Sequence, residues 1–251
     1  RLAWQADLDA HHISAPASTG RFACVTADAN RLLVLRADTG ELVLDQQLPV
    51  ELSPAAPACG AGVIFVPCRA PAILAVGLDG ELAWRFDLEG VLSGVHLDQT
   101  PLVTEEHVVV ALSSGALLAL RRSDGRLLWE TQVGPRGKRV TAPTSDGRRV
   151  YVGARDGIYA LSLASGAHLW VFRTGAHLSA APVIGGELLC VAGNDRHVYG
   201  LDRRTGRMAW RHPLAQEVKT APLLVDEDPN GPYAVVVDCA GGVTALRYPT
   251  A

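Results

Sequence analysis

The chain has 251 residues, 48% hydrophobic and 20% charged, with 23 lysines and arginines set against 26 acids for a net charge of −3. That composition suffices for one sizeable apolar core, and the interspersed charges leave no basic face for nucleic acid and no footprint for an anionic membrane surface. No apolar run approaches the roughly 20 residues of a membrane span, so direct membrane insertion is excluded, and the opening Arg1-Leu2-Ala3-Trp4, without initiator Met or signal peptide, reads as a trimmed or processed piece of something longer.

In chain order, the first element is a short strand over Leu2 to Asp7 that has no sheet of its own. Six copies of one grammar follow. The first has Ala15-Pro16, apolar runs at Phe22 to Thr26 and Leu32 to Leu35, then Thr39-Gly40 and Leu44. The second has Ala56-Pro57, Val63 to Val66, Ile73 to Val76, Asp79-Gly80 and Trp84, and the third Thr100-Pro101, Val108 to Ala111, Leu117 to Leu120, Asp124-Gly125 and Trp129. Thr141-Ala142-Pro143 opens the fourth, which ends at Ser165-Gly166 and Trp170; Ala180-Ala181-Pro182 opens the fifth, which ends at Thr205-Gly206 and Trp210. The sixth starts at Ala221-Pro222 and stops at Tyr248, before any fourth strand.

Trp4, Leu44, Trp84, Trp129, Trp170 and Trp210 thus form a ladder with steps of 40, 40, 45, 41 and 40 residues. A period this regular marks a repeat fold whose units bury their apolar faces against neighbours. Four short runs per unit, at hairpin spacing, predict four antiparallel strands. The expectation is an all-β, six-bladed β-propeller of four-stranded antiparallel blades, a single domain over 1–251. Blade six is predicted to combine residues 217–248 with 1–8, a velcro closure by the N-terminal strand that hides sheet edges. Leu44 marks the looser seam.

Cys24, Cys59, Cys68, Cys190 and Cys239 are odd in number, with no CxxC or adjacent pair. A disulfide framework is not expected, and Cys59 and Cys68 sit at opposite ends of one strand. Unpaired cysteines tilt the compartment toward the cytoplasm.

The segments from Val150 to Leu161 and from Gly200 to Trp210 resemble the repeat of pyrroloquinoline-quinone (PQQ) propellers, and the resemblance covers the whole chain. The marks of WD40 and kelch blades are absent. The resembled family includes quinoprotein dehydrogenases, the outer-membrane assembly lipoprotein BamB and sensor-like regions of bacterial serine/threonine kinases. Its enzymes carry eight blades, adjacent cysteines beneath the quinone and a calcium-bound acid site. With six repeats and no adjacent cysteines, this chain resembles the non-catalytic branch. The resemblance therefore implies no enzyme, no cofactor, and a ligand- or protein-binding sensor module of a larger bacterial protein, such as a kinase. The alternatives are a PQQ-dependent dehydrogenase-like enzyme and an assembly scaffold of BamB type; an extracytoplasmic location also stays open through the family.

Strand alternation puts the loops between fourth and first strands on one face with the turns between second and third. That face is the expected channel mouth. Five residues before each proline stand His11, Leu52, His96, Lys138, His177 and Glu217. His12, Asp98, Arg139 and Lys219 join them from the same loops, and Arg69, Arg155, Asp195, Arg196 and His197 from the second-to-third turns. The expected binding residues are His11, His12, His96, Asp98, Lys138, Arg139, His177 and Lys219, taking a protein partner or a small polar ligand on a monomer. Three histidines in alternate blades suit an axial anion or metal, but no HxxxH spacing is present and no metal ligands are assigned. No GxSxG, HExxH, P-loop or dinucleotide fingerprint occurs, so no catalytic residue is assigned. The tract Asp226 to Gly231 lacks the ligand spacing of a calcium loop and reads as a solvated turn on the opposite face.

Overall fold

The computed structural model describes residues 2–69, 72–88, 95–225 and 231–248; the acidic tract at 226–230 lies outside them. Among the described residues there is no helix, and the strands gather in chain order into six antiparallel sheets. Sheet one contains Ala17–Ser18, Phe22–Ala27, Arg31–Arg36 and Leu42–Gln47, and sheet two Ala58–Gly60, Val63–Pro67, Ala72–Gly77 and Leu82–Asp87. Sheet three has Leu102–Val103, His107–Ala111, Ala116–Arg121 and Leu127–Gln132, and sheet four Thr144–Ser145, Arg149–Ala154, Gly157–Ser162 and His168–Arg173. Sheet five has Val183–Gly185, Leu188–Ala192, His197–Asp202 and Met208–Pro213; sheet six stops at three, Leu223–Val225, Tyr233–Val237 and Val243–Arg247. Residues 2–7, expected to supply its fourth strand, form no strand. The chain divides into two compact units, Arg1–Ser113 with Leu118–Leu128 and Ser114–Leu117 with Trp129–Ala251, so sheet three contributes to both.

Each proline of the Ala-Pro and Thr-Pro steps immediately precedes a first strand. Proline has no N–H to pair, which suits the start of an edge strand. In sheets one to five the second and third strands are covered on both faces and read as continuous apolar runs such as Leu32-Leu33-Val34-Leu35 and Ile73-Leu74-Ala75-Val76, whereas those of sheet six are partly exposed. Fourth strands are half exposed.

The ladder residues join successive sheets by one recurring contact. The indole N–H of Trp4 donates to the carbonyl of Ala37 at 3.0 Å, Trp84 to Arg122 at 2.8 Å, Trp129 to Leu163 at 2.8 Å and Trp170 to Arg203 at 3.3 Å. Each acceptor lies three residues before the turn glycine of the following sheet, and the indole face rests on that glycine. A methyl group at Gly40, Gly125, Gly166 or Gly206 would fall 2.5–2.6 Å from the Cε3 of Trp4, Trp84, Trp129 or Trp170. These glycines also have φ between 70 and 74°, where a side chain is strained. Glycine is required there twice over. In sheets one, two, four and five a register shift falls just beside the ladder residue, as between Ala160 and Leu161 opposite Trp170. Such bulges re-aim a side chain; here they turn it toward the next turn.

The missing rung has a local cause. The turn of sheet two is one residue shorter: Gly80 N–H closes on the Gly77 carbonyl at 3.0 Å, whereas Gly40, Gly125, Gly166 and Gly206 each bond four residues back. Gly77 occupies the acceptor's place, and its carbonyl is already engaged within the turn. Leu44 and Gln46 pack against Gly80 instead, and Gln46 Oε1 is buried with no partner among the described residues. Trp210 also differs. It stacks on Tyr248 (centroids 6.4 Å apart, planes 17°) and spreads over Gly200, its paired neighbour, while its indole N–H finds no acceptor among the described residues.

Sheets four and five are further tied through Asp146, whose side chain is 3% exposed. It accepts from the backbone N–H of Arg148 (2.9 Å) and Arg149 (2.7 Å) and pairs with the guanidinium groups of Arg149 and Arg203. The Tyr151 hydroxyl reaches both Asp146 Oδ2 (2.8 Å) and the Arg203 carbonyl (2.9 Å). Burial works to raise the Asp146 pKa, but the Arg148 and Arg149 amides and the Tyr151 hydroxyl outweigh it, and the net shift is downward.

Trp129→Ala is expected to cost about 3–5 kcal/mol in denaturant unfolding. Gly166→Ala should cost ~2–4 kcal/mol, combining left-handed strain with overpacking. In the Trp129→Ala background the Gly166→Ala cost should fall to about 1–2 kcal/mol, because the indole overlap is gone while the backbone strain and the close approach of Thr131 Oγ1 remain. Asp146 is depressed in the folded state, so its contribution is fully present above the ordinary carboxylate pKa and is lost as pH falls through the lower folded value. Asp146→Asn should therefore lower the melting temperature at pH 7 and make the acid limb of the Tm-against-pH curve shallower.

Candidate functional site

Backbone bonds bring the two expected sets of loops together in five of the six sheets, sheet four being the exception among the bonds of the described residues. The amide of Asp28 donates to the His12 carbonyl (2.7 Å), Arg69 to Glu51 (2.9 Å), Ser113 to His96 (3.0 Å), Asn194 to His177 (3.3 Å) and Cys239 to Glu217 (2.9 Å). In each, a residue of a second-to-third turn is fastened to the loop leading into the same sheet's first strand. The shared face read from strand alternation is present. Counting five residues back from proline finds His96, His177 and Glu217 at the fastened position, but falls one residue off in sheets one and two. There His12 and Glu51 make the bond, and Leu52 is buried in an isolated bridge with Cys68.

In the first unit, His11 and His12 line a cavity of about 690 Å³ with Ser14, Asp28, Glu51 and Arg69. Both histidines are exposed. Their backbone amides converge on Asp28 Oδ1, at 3.0 Å from His11 and 3.4 Å from His12. The His11 amide is the main influence holding the Asp28 carboxylate below its ordinary pKa. Asp28 itself has φ of 49°, a left-handed conformation that Asp tolerates. Across the cavity Arg69 Nη1 donates to Glu51 Oε1 at 2.6 Å, with the side chains 65% and 52% exposed. An ion pair that open adds little stability and is available to exchange for a partner's charges. Ser53, on the cavity wall, is buried and donates to the Leu97 carbonyl. His96 of sheet three is exposed and fixed by Ser113, whose Oγ accepts its amide at 2.9 Å; Asp98 is half-buried beside Gln99.

In the second unit, His177 Nε2 lies 2.7 Å from Asn194 Nδ2, and Ser179 Oγ donates to Asn194 Oδ1. Asp195 accepts from the Gly175 amide at 3.2 Å and from the Tyr199 hydroxyl at 2.7 Å. Burial and then this carboxylate push the Tyr199 pKa upward. Arg173 pairs with Asp156 and lies over the Tyr159 ring. Lys138, Arg139 and Lys219 are exposed on their loops.

Asp28, Glu51 and Arg69 are the charged cavity groups that the expected binding set omits, although Arg69 belongs to the expected second-to-third-turn rim. The signal for Asp28 is an acid in a second-to-third turn, also present as Asp156 and Asp195. Among the described residues no group of three or more His, Cys, Asp or Glu side chains is placed to hold a metal ion. The chemistry offered is polar recognition by both charge signs.

A family model described as outer membrane protein assembly factor BamB matches residues 1–142 and 136–250. The factor of that name from Xanthomonas campestris pv. campestris is 33% identical over 159 residues, 59% of this chain and 37% of that protein. The one from Moranella endobia is 26% identical over 240 residues, 87% of this chain and 59% of that protein. The chain thus spans less than two thirds of the length of either relative. The crystal structure of BamB from Moraxella catarrhalis superimposes with a TM-score of 0.62 at 16% identity, covering 98% of this chain and 88% of that one. A quinohemoprotein alcohol dehydrogenase from Comamonas testosteroni gives 0.69 at 13% identity, covering 94% and 46%. At such identities the likeness shows the fold alone: the six sheets are the blades of a β-propeller. Matched by the family model along nearly its whole length, the chain belongs to the BamB family of outer membrane protein assembly factors.

Proposed function

We propose that this chain is a non-catalytic, partner-binding propeller that serves outer-membrane protein assembly, with its partner seated on the loop face around the cavity of His11, His12, Glu51 and Arg69. The family match over nearly the entire chain carries this reading. It favours the scaffold alternative over a kinase-attached sensor, because the relatives are named as assembly factors. The tilt toward the cytoplasm drawn from unpaired cysteines has no support in those names, which refer to the outer membrane. Likeness to a dehydrogenase rests on fold alone, and no two of the five cysteines are adjacent in sequence.

The cavity supports a protein partner through its open ion pair and exposed histidines, which recognise polar groups without requiring a deep apolar pocket. His96 and Asp98 extend that surface in the first unit, and Lys138, Arg139, His177 and Lys219 are proposed contacts of the second.

The test is complementation in a bacterium lacking its own factor of this family, using the full protein that carries this chain. Arg69→Glu combined with His12→Ala should reduce folded outer-membrane protein by roughly tenfold, a loss of the size expected from disrupting one charged anchor, with the melting temperature nearly unchanged. Arg148→Glu, at the opposite end of a blade, should complement fully. Full complementation by the loop-face variant would overturn the proposed surface.

A further inference from the structure

Cys24 and Cys59 come from different blades and meet at the seam where Leu44 stands in the ladder. Cys24 lies in the second strand of sheet one, paired with Ala17 of the first strand, and is fully buried. Cys59 is the middle residue of the first strand of sheet two and is half-buried. The first strands of these two sheets touch. Both cysteines belong to one apolar cluster, with Leu32, Val34, Ile64 and Val66. The interaction between the two thiols holds Cys59 below an ordinary thiol pKa and, together with burial, Cys24 above it. Cys68 lies in the same cluster but donates to the Val66 carbonyl, Cys190 lies in another core, and Cys239 is exposed.

This is also the seam where Leu44 replaces an indole, so the cluster around the two thiols holds together blades that elsewhere have a tryptophan contact. We propose that Cys24 and Cys59 are a modification site that closes to an inter-blade disulfide, locking blades one and two. The oxidant is a disulfide of low molecular weight or of a protein. The Cys59 thiolate attacks it, forming a mixed disulfide and releasing one thiol; the Cys24 thiolate, its proton passed to solvent or to that leaving thiolate, then attacks the Cys59 sulfur and releases the second. Two thiols are oxidised and one disulfide is reduced, with two electrons and two protons accounted for. The half-buried Cys59 is the entry point, and Cys24 needs no solvent access of its own. A location at the outer membrane lies outside the reducing cytosol, but the geometry of the pair does not depend on that reading.

The test is to incubate the protein, carrying Cys239→Ser to prevent intermolecular pairing, with oxidised glutathione. Peptide mapping without reduction should find Cys24 joined to Cys59, with Cys68 and Cys190 still open to alkylation after unfolding. Oxidation should raise Tm by roughly 5–10 °C, the range expected for closing a loop of this size in a chain of this length. Cys59→Ser should abolish both the crosslink and the oxidation-dependent shift while folding normally when reduced. Recovery of both thiols as alkylated after oxidation, stable glutathione on Cys59 without closure, or a crosslink that lowers Tm would each overturn the proposal.

Discussion

The structure depends on one contact repeated between neighbours, in which the indole of one sheet lies flat on the turn glycine of the next and donates to a carbonyl three residues earlier. The contact combines apolar area with a satisfied buried donor, the condition that tryptophan needs to be placed in a core. It also makes turn length a structural variable. The carbonyl must be free and must stand at the right distance before the glycine, so a turn shortened by one residue cannot receive an indole even if the glycine is kept.

Blade two shows the consequence. Its turn folds back on the Gly77 carbonyl, Leu44 takes the ladder position, and the seam relies on an apolar cluster that includes Cys24, Cys59 and Cys68. The 690 Å³ cavity opens at the loop end of the same pair of sheets. A seam without an indole contact, an open loop cavity and the proposed disulfide pair therefore occupy one junction. The proposed partner surface thus lies beside the seam that lacks an indole contact, in keeping with the tendency of binding regions to be drawn from the less stable parts of a domain.

Much of this was legible in the chain. The ladder, the turn glycines and the prolines fixed the number of sheets and the direction in which each one starts, because all three reflect backbone requirements that recur at every copy. The pairing of an entry loop with the second-to-third turn of its own sheet, as at His96 and Ser113, followed from strand alternation. What escaped was anything depending on a single-residue offset or on distance across a seam. His12 and Glu51, not His11 and Leu52, carry the loop bonds, and strand periodicity cannot see such a slip in an irregular loop. The strand expected over residues 2–7 is absent, yet Trp4 makes its ladder contact with Ala37 and Gly40: the side-chain anchor was readable and the backbone pairing was not. The proximity of Cys24 and Cys59 leaves no trace in spacing at all, since it arises between two blades.

The most direct test of the indole-and-turn account is to rebuild the missing rung. Leu44→Trp should be neutral or destabilising by itself, because the short turn offers no carbonyl. Inserting one Thr between Asp79 and Gly80, so that the turn copies Asp38-Thr39-Gly40, should let the same tryptophan gain about 1–3 kcal/mol over the insertion alone. A Leu44→Trp protein stabilised equally with and without the inserted residue would contradict the claim that turn length governs the contact.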